Sequence, residues 1–398
     1  MKRVLHITHL YPKPYDPMLG ITMHHQVKTL QEFGWFSKVI APVPWSPFPV
    51  NRFSQKWEAY SRVPRYDVIE GIEVYYPRYL AFPKAWFFTI SARFMYFSIL
   101  SVAKKIREAF SFDLIHAHMA LPDGFAAMLL SELFGIPFVV TYQATDTDIT
   151  LQRGTGCASM LHTVFKSAAA VISPSPRLTQ DFVALFGFKP TDVPYGIYLE
   201  DIVDAPSSFP LTKYQDKRVL LSVSRLLPTK GIDLVLRALP YLVQKYDNLQ
   251  YVIVGDGGER VKLEEMTRDL NLTQYVDFIG WVPHERAMEY MARADVFTLP
   301  SWQETFGLVY IEAMAHGKPI VAVKGQGVDG IVRHGETGLL VKPRDVNALV
   351  KAIDFLFSHP EEARAMGKRA RKLVLENYTW EKNAEKTIKV YEEVLNGA

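Results

Sequence analysis

Short apolar runs rich in β-branched residues alternate with amphipathic helical patterns along nearly the whole chain. This alternation is typical of βαβ units, whose strands pair in parallel sheets covered by helices. It is interrupted once, by a polar stretch at 202–217, and then resumes. The candidate strands are Val4–Thr8, Lys38–Ala41, Ile72–Tyr76, Leu114–Ala117, Pro137–Thr141 and Ala170–Ser173, followed by Arg218–Ser222, Leu249–Val254, Val276–Ile279, Val296–Leu299 and Pro319–Val323.

Two sets of strands separated by a linker predict two domains. The chain has 398 residues, which is more than one compact core usually encloses. We therefore predict an α/β protein with two Rossmann-like domains facing a cleft, at 1–200 and 201–379. The last helical pattern, Trp380–Leu395, lies outside the second set. Segment 380–398 is predicted to be a C-terminal helix, for which the first domain is one packing site among others.

Composition narrows the class of protein. The 45 Lys and Arg nearly balance the 42 Asp and Glu, so the net charge of +3 does not indicate a nucleic-acid partner. Cys157 is the only cysteine, which excludes an internal disulfide and fits a reducing compartment. The first apolar run is interrupted by His6, Thr8 and His9 before it reaches signal-peptide length. These features predict a cytoplasmic protein.

Two carboxylates stand in the stretch SWQETFGLVYIEAMAHGKPIV, at Glu304 and Glu312. The pattern predicts a strand end, a loop and then a helix over 306–316. Ligands of open α/β sheets bind beyond the carboxyl ends of the strands, and free N–H groups at a helix start favour an anion. Gly307 would let that anion approach the backbone. The alternative is that Glu304 only caps the helix and that Glu312 lies on a solvated face.

Two cations follow the first strand of the second set, Arg225 and Lys230. A guanidinium and an ammonium together can neutralise a diphosphate, although a solvated basic loop would look the same. After Leu249–Val254 comes the glycine loop VGDGGER. It is an incomplete dinucleotide fingerprint, and a simple strand-to-helix turn explains it equally well.

Taken in order, these features resemble the nucleotide-sugar half of family 4 retaining glycosyltransferases of the GT-B fold. The E-x7-E spacing from Glu304 to Glu312 matches that family's pattern, and so does GETGLLV at 335–341. The other residues that carry the resemblance are Arg225, Lys230-Gly231, Gly255-Asp256-Gly257, Gly280-Trp281-Val282 and Phe306-Gly307.

The resemblance implies a role for each of these positions. Arg225 and Lys230 would bind the donor diphosphate, Glu304 would orient the transferred sugar, and Glu312 would bind the ribose. The catalytic set that it implies is completed by His118, which follows the strand Leu114–Ala117; the alternative is a structural histidine. The remaining donor-binding residues that it implies are Gly20, Gly257, Val282, Phe306, Gly307 and Leu308.

The first domain matches the family less closely. Gly20 resembles one glycine of the family's phosphate-binding loop, and Asp146 matches an acidic position to which we assign acceptor binding. Gln143-Ala144 replace the family's usual His-Gly pair. Asp146-Thr147-Asp148 also spells a metal-binding DxD sequence, but the diphosphate already has two cations. We therefore predict no metal and no cofactor.

The stretch Arg78–Arg107 carries six basic residues, no acidic ones and a nineteen-residue apolar run at 85–103. Arg93 would lie near the middle of the bilayer if the run spanned it, which argues against spanning. Two interpretations stay open. The run forms a core helix, or it docks peripherally on anionic lipid through aromatic and basic side chains.

The resemblance implies a nucleotide-sugar-dependent hexosyltransferase, retaining configuration, with an acceptor-binding first domain and a donor-binding second domain. The expected partners are a nucleoside-diphosphate sugar, such as a UDP-sugar, and a glycan or lipid-linked acceptor of polysaccharide biosynthesis. A nucleotide-sugar epimerase of the same superfamily is one alternative. A non-catalytic scaffold docked on a membrane is another.

Overall fold

The protein is described by a computed structural model that covers residues 2–52, 54–82, 86–203 and 213–397. It consists of two compact units. Residues 204–212 of the predicted linker lie outside the described residues. The first unit comprises Met1–Pro174, Leu178–Pro194 and Asn383–Ala398, and the second comprises Ser175–Arg177 and Tyr195–Lys382.

Strands and helices alternate in both units, as the apolar pattern predicts. The strands are β1 (Lys2–Ile7), β2 (Trp35–Ile40), β3 (Val43–Pro44), β4 (Tyr66–Ile69), β5 (Ile72–Tyr75), β6 (Arg78–Tyr79), β7 (Leu114–Ala117), β8 (Phe138–Thr141), β9 (Ala170–Ser173), β10 (Thr191–Asp192), β11 (Arg218–Val223), β12 (Leu249–Val254), β13 (Val276–Gly280), β14 (Val296–Thr298), β15 (Ile320–Val323) and β16 (Leu339–Val341).

Helices connect most of these strands. They are α1 (Ile21–Glu32), α2 (Gln55–Arg62), α3 (Phe88–Ala109), α4 (Phe125–Phe134), α5 (Thr155–Ser167), α6 (Pro176–Phe186), α7 (Ile232–Val243), α8 (Arg260–Asp269), α9 (His284–Arg293), α10 (Leu308–Ala315), α11 (Val346–Ser358), α12 (Pro360–Asn377) and α13 (Trp380–Asn396). Within the described ranges, no helix combines the length and apolarity that crossing a bilayer requires.

The first unit is built on an eight-stranded sheet of order β10-β9-β8-β7-β1-β2-β5-β4. Its neighbours pair in parallel except β4 and β5, which are antiparallel at the sheet edge. The central strands β1 and β7 are buried over most of their length, because helices cover both faces of a parallel sheet. The chain order reverses between β1 and β7. Strands β3 and β6 form a separate two-stranded sheet.

The second unit contains a six-stranded parallel sheet of order β13-β12-β11-β14-β15-β16. Here the chain order reverses between β11 and β14. Such a reversal leaves a crevice beyond the carboxyl ends of the two strands, and this is the usual ligand site of an open α/β sheet.

The predicted α/β fold with parallel, Rossmann-like sheets is confirmed. Each candidate strand is present, with ends that differ from the prediction by at most three residues. The sequence pattern did not predict the antiparallel edge strand β4, nor β16, although β16 falls within the GETGLLV stretch.

Helix α13 contributes to the cores of both units in turn. Trp380, at its start, is buried in the core of the second unit. From Asn383 onward the helix belongs to the first unit, where Tyr391 is fully buried. Gln26 Nε2 donates to Asn383 Oδ1 at 3.0 Å, and Asn383 Nδ2 donates to the Pro194 carbonyl at 2.8 Å. These bonds fix the helix against the first unit.

Candidate active site

An ion pair lies at the point where the strand order of the second unit reverses, between β11 and β14. Lys230 follows β11 and Glu304 follows β14, and Lys230 Nζ lies 2.6 Å from Glu304 Oε2. Their side chains are 18% and 13% exposed, respectively, so a ligand can still reach both. The two loops are joined by the Thr229 carbonyl, which accepts hydrogen bonds from Trp302 N–H at 3.0 Å and from Ser301 Oγ at 3.2 Å. The Lys230–Glu304 ion pair therefore lies on two loops that are hydrogen-bonded to each other.

The backbone of Glu304 is fixed from three directions. Its N–H donates to Gln326 Oε1 at 3.1 Å. Its carbonyl accepts from Gly327 N–H at 2.9 Å and from Arg177 Nη1 at 3.1 Å. Local spacing carries no signal for Arg177 or Gln326, which come from distant parts of the chain. These bonds restrict where the Glu304 carboxylate can point.

Gly307 opens helix α10. Its φ is +81°, and a Cβ here would lie 2.5 Å from a Tyr310 ring carbon, so only glycine fits. This left-handed residue delays the helix, which begins at Leu308 rather than at Phe306 as predicted. The Phe306 ring is buried against Tyr195, which leaves its backbone as the part that a ligand could contact. Within the described residues, the N–H groups of Phe306, Gly307 and Leu308 have no protein acceptor.

Glu312 belongs to a small polar network with His284 and Asp201, in which the Glu312 side chain is 15% exposed and the His284 side chain is 43% exposed. Its Oε1 is 4.0 Å from His284 Nδ1, and His284 Nε2 is 3.4 Å from Asp201 Oδ2. Burial raises the pKa of Glu312 above its usual value, and the hydrogen bond with Asp201 raises the pKa of His284. The sequence analysis missed Asp201 and His284, because neither stands near Glu312 in the chain. Glu312 is thus not a surface charge on a solvated face.

The remaining predicted donor residues lie at the ends of β11, β12 and β13. The Arg225 side chain is exposed and has no hydrogen-bond or ion-pair partner in the described part of the chain. Leu226 N–H donates to the Asp256 carbonyl at 2.9 Å, which holds the Gly257 loop against the loop after β11. Trp281 is 70% exposed and Val282 is half-buried. The structure therefore brings the predicted residues to one edge of the sheet.

The first unit treats its predicted residue His118 differently. His118 is only 1% exposed. Its Nε2 lies 3.0 Å from His6 Nδ1, and its ring stacks on His116 with centroids 4.3 Å apart. Burial lowers the pKa of His118 to about 3, so the imidazole is neutral near pH 7. This environment matches the structural alternative for His118 rather than a side chain open to substrate.

The ligand nitrogens of His6, His116 and His118 lie within 4.8 Å of one another, close enough to surround a metal ion. Both nitrogens of His116 are already occupied, however. Nδ1 lies 2.6 Å from Tyr391 OH and Nε2 lies 2.7 Å from Thr141 Oγ1. The cluster is therefore satisfied by protein groups and cross-links the sheet to α13.

Asp146 has no exposed surface, which leaves it no direct contact with an acceptor. Its carboxylate accepts backbone N–H bonds from Gln143 at 3.0 Å, Ala120 at 3.3 Å and Leu121 at 3.4 Å. Burial raises its pKa to about 7. Asp148, in contrast, is exposed. The two carboxylates of the DxD sequence thus have different environments, and Asp146 serves to join two loops.

Gly20 begins helix α1 in the left-handed conformation, with φ at +67°. A Cβ there would lie 2.2 Å from the Leu10 carbonyl oxygen, so the loop after β1 must pass close to this backbone. The predicted glycine thus has a clear structural reason, and its contact with donor phosphate stays a prediction.

Family models match both parts of the chain: "Glycosyl transferase 4-like domain" covers residues 19–196, and "Glycosyl transferases group 1" covers residues 204–373. A provisionally named teichuronic acid biosynthesis glycosyltransferase, TuaC of Bacillus subtilis, is 30% identical over 360 residues, which is 88% of each chain. The chain belongs to the family 4 (group 1) glycosyltransferases. The resemblance inferred from sequence is confirmed, and sugar transfer is favoured over the epimerase and scaffold alternatives.

Solved structures support the same fold. Sucrose-phosphate synthase from Thermosynechococcus elongatus matches all of both chains with a TM-score of 0.78 and 23% identity. HepE of Anabaena, solved in complex with UDP, matches 99% of this chain and 100% of its own with a TM-score of 0.75 and 19% identity. Identities this low show the GT-B fold alone.

Proposed function

We propose that this glycosyltransferase moves a hexose from a nucleoside-diphosphate sugar to an acceptor hydroxyl, with retention of configuration. The observation that carries the proposal is the Lys230–Glu304 pair at the strand reversal. Arg225 follows the same strand as Lys230 and has no partner among the described residues. A nucleoside-diphosphate sugar supplies what this edge lacks, namely a diphosphate for the cations and hydroxyls for the carboxylate.

The leaving group would be stabilised electrostatically. Arg225 and Lys230 would bind the diphosphate as negative charge develops on it, which lowers the barrier to cleavage of the glycosidic bond. The free N–H groups at the start of α10 would bind an oxygen of the same phosphates or of the sugar. A diphosphate oxygen would accept the proton of the acceptor hydroxyl as that hydroxyl attacks on the same face. Retention is an inference from the family resemblance.

Two further groups would recognise the nucleoside. Glu312, oriented by His284, would accept hydrogen bonds from the ribose hydroxyls. The backbone at Trp281-Val282, beyond the end of β13, would contact the base, and the exposed indole of Trp281 offers it a stacking surface. The carboxylates are thus assigned separate parts of the donor: Glu304 the sugar, and Glu312 the ribose.

Nucleotide binding tests this proposal directly. UDP, GDP, ADP and their sugars are screened by thermal unfolding, since a ligand at a hundredfold excess over its Kd stabilises the native state by about 2.7 kcal/mol. One nucleotide series should raise the Tm. Arg225→Gln should reduce that shift, whereas Arg268→Gln, at an exposed arginine of α8, should leave it unchanged. No shift with any nucleotide, or a transferred sugar of inverted configuration, would contradict the proposal.

The acceptor is proposed to be a lipid-linked glycan. The relative TuaC, which is named for teichuronic acid biosynthesis, supports the glycan part, and the surface of α3 supports the lipid part. One side of α3 packs into the core. The opposite side, with the two residues that precede the helix, is exposed and carries both large apolar and basic side chains. These are Trp86, Phe87, Ile90, Arg93, Phe94, Phe97, Lys104 and Lys105.

We therefore propose that this surface docks on anionic lipid. Not every cation of the predicted stretch is available for docking. The guanidinium of Arg78 donates to the Val63 carbonyl and that of Arg107 to the Phe112 carbonyl. Lys84 lies outside the described residues. The cations left on the exposed side of the helix are Arg93, Lys104 and Lys105.

Vesicle co-sedimentation measures this docking. Binding should increase with the fraction of anionic lipid and weaken as salt screens the charges. Changing Arg93, Lys104 and Lys105 to Glu should abolish it. The matched control changes three exposed lysines of the second unit, Lys351, Lys368 and Lys372, to Glu, which alters the net charge equally. If both triple variants bind alike, the α3 surface is not the docking site.

A further inference from the structure

A cavity of about 290 Å³ opens in the first unit beside the loop that follows β1. Three tyrosines contribute to its lining: Tyr15, Tyr60 and Tyr79. The rings of Tyr15 and Tyr60 meet edge to face with centroids 5.9 Å apart. Flat aromatic walls with a few polar groups suit the face of a sugar ring, which is apolar in the middle and polar at its rim.

Two lysines line the same cavity. Lys56 is exposed, and its ammonium lies 5.8 Å from the centre of the Tyr60 ring. Lys13 is only 4% exposed, and its ammonium donates to the carbonyls of His9 at 2.9 Å and Tyr11 at 3.0 Å. An ammonium can donate three hydrogen bonds, and these two carbonyls take only two of them.

Lys13 has no ion-pair partner among the described residues, although it is nearly buried. Asp16 also lines the cavity, and Asp123 pairs instead with His9, whose Nδ1 lies 3.0 Å from its carboxylate. Burial lowers the pKa of Lys13 to about 8, and the charges of Asp123 and Asp16 offset only part of that effect. A buried ammonium without a partner is costly, and an anion brought by a ligand would remove that cost.

We propose that this cavity binds the acceptor glycan through an anionic substituent, a carboxylate or a phosphate, carried on one of its sugars. This rests on the proposed transferase function and adds a substrate class to it. Lys13 and Lys56 bind the anion, the tyrosines contact the sugar ring, and His9 also lines the cavity. The cavity lining includes two lysines, Lys13 and Lys56, and one carboxylate, Asp16. Because the positive charges outnumber the negative one, an acidic sugar is favoured over a neutral one.

The test uses the undivided 398-residue chain and four probes: methyl glucuronide, glucose 6-phosphate, methyl glucoside and inorganic phosphate. Affinities are measured by calorimetry or ligand-observed NMR. We expect at least one acidic sugar to bind tenfold or more tightly than methyl glucoside. Lys56→Gln should reduce that preference at least threefold, and Lys13→Met should reduce it further. Lys189→Gln, at an exposed lysine elsewhere in the first unit, is the control and should change nothing.

Each other outcome overturns the proposal. Equal binding of acidic and neutral sugars, or no binding of either acidic sugar, removes the charge recognition. Phosphate alone binding as tightly as glucose 6-phosphate removes the role of the tyrosines. Lys13→Met removes buried hydrogen bonds and could unfold the loop, so the proposal also fails if Lys56→Gln alone leaves the preference unchanged.

Affinity for the acidic sugar should also fall as pH rises through about 8, where Lys13 loses its proton. The charged or titratable groups that act on Lys13 are Asp123, Asp16 and Arg78, with His9 bonded through its carbonyl. A parallel titration with a nucleoside diphosphate separates the two proposals. If the nucleotide binds and the lysine variants have no effect, the cavity assignment alone is wrong. If no nucleotide binds, the donor assignment is wrong.

Discussion

The two units place polar side chains at the same kind of position, just beyond the ends of parallel strands, and use them in opposite ways. In the second unit, Lys230 and Glu304 pair with each other but stay partly exposed, and Arg225 has no partner among the described residues. In the first unit, His118 and Asp146 are buried, and protein groups satisfy them. A strand-end position therefore does not by itself make a residue functional.

The difference follows from the cost of burial. A buried polar group is stable only when its hydrogen bonds are made, so it has little left to offer a ligand. A charged group at a solvent-accessible edge of a sheet, in contrast, can still form an ion pair or a hydrogen bond with a ligand. We therefore expect substitutions in the second unit to act on transfer, and substitutions at His118 and Asp146 to act mainly on stability.

The largest effect is expected at Glu304. Glu304→Gln keeps the shape of the side chain but removes its charge, and it should lower kcat by about 100-fold, because contacts that tighten in the transition state lower the barrier. Glu312→Gln should instead raise the donor KM, with a smaller effect on kcat. Steady-state kinetics with the donor identified in the nucleotide screen distinguishes them.

Calorimetry with the bare nucleoside diphosphate provides the control for this pair. Affinity should fall in Glu312→Gln and barely change in Glu304→Gln. The reverse pattern would mean that the two roles are exchanged. If both variants match the parent in rate and affinity, neither glutamate acts in transfer, and the expected contrast between the two units is wrong for the second unit.

A smaller effect is expected from the buried histidines as the pH falls. Burial holds the pKa of His118 at about 3, while the unfolded chain binds its proton near pH 6.5. Stability from the neutral ring is thus present above pH 6.5 and is lost as pH falls below it, by about 1.4 kcal/mol per pH unit for each such histidine. Unfolding of His118→Gln should therefore depend less steeply on pH between 6 and 4 than unfolding of the parent.

His284 sharpens this comparison, because its pKa is shifted the other way. Its hydrogen bond with Asp201 raises the folded-state pKa, so the stability it contributes is present below pH 6.5 and is lost as pH rises through the folded value. His284→Gln should therefore reduce stability at pH 6 and have less effect at pH 8. Identical pH profiles for the two histidine variants would contradict the assignment of opposite environments.

The smallest effect, none, is expected from removing divalent metal. Arg225 and Lys230 would carry the diphosphate charge, and the Asp146 carboxylate already accepts three backbone N–H bonds. Transfer should therefore persist in excess EDTA. Activity that is lost on chelation and restored by Mg²⁺ or Mn²⁺ would contradict this expectation and would indicate a metal site at Asp148 and the loop around it.

Much of the fold was predictable from sequence, because a buried parallel strand is a local apolar run with turn residues at its ends. Strands Leu114–Ala117 and Leu249–Val254 were predicted to the residue. The edge strand β4 was missed, since its exposed residues carry no such signal. Helix α10 begins two residues late because Gly307 adopts a left-handed conformation, with φ at +81°, which the helical pattern does not encode.

The candidate site was predictable only in part. Motif spacing identified Lys230, Glu304 and Glu312, but neither their pairing nor their neighbours. Gln326 braces Glu304 across 22 positions of sequence, and His284 reaches Glu312 from another helix. Such partners are set by packing between distant segments, and a single sequence carries no signal for that.

The path of helix α13 constrains how this protein can be made and divided. Residues that complete the core of the first unit, such as Tyr391, follow the whole second unit in the chain. During synthesis the core of the first unit therefore cannot be completed until the second unit and α13 have been translated, and the residues of β1 and β7 that α13 covers stay exposed until then. The bond from Gln26 to Asn383 closes a loop of 357 positions. A fragment that ends at Pro194 would lack Tyr391 of α13, which contacts the Trp35 ring and is hydrogen-bonded to His116. The first unit therefore depends on the end of the chain to complete its core, although each unit has its own sheet.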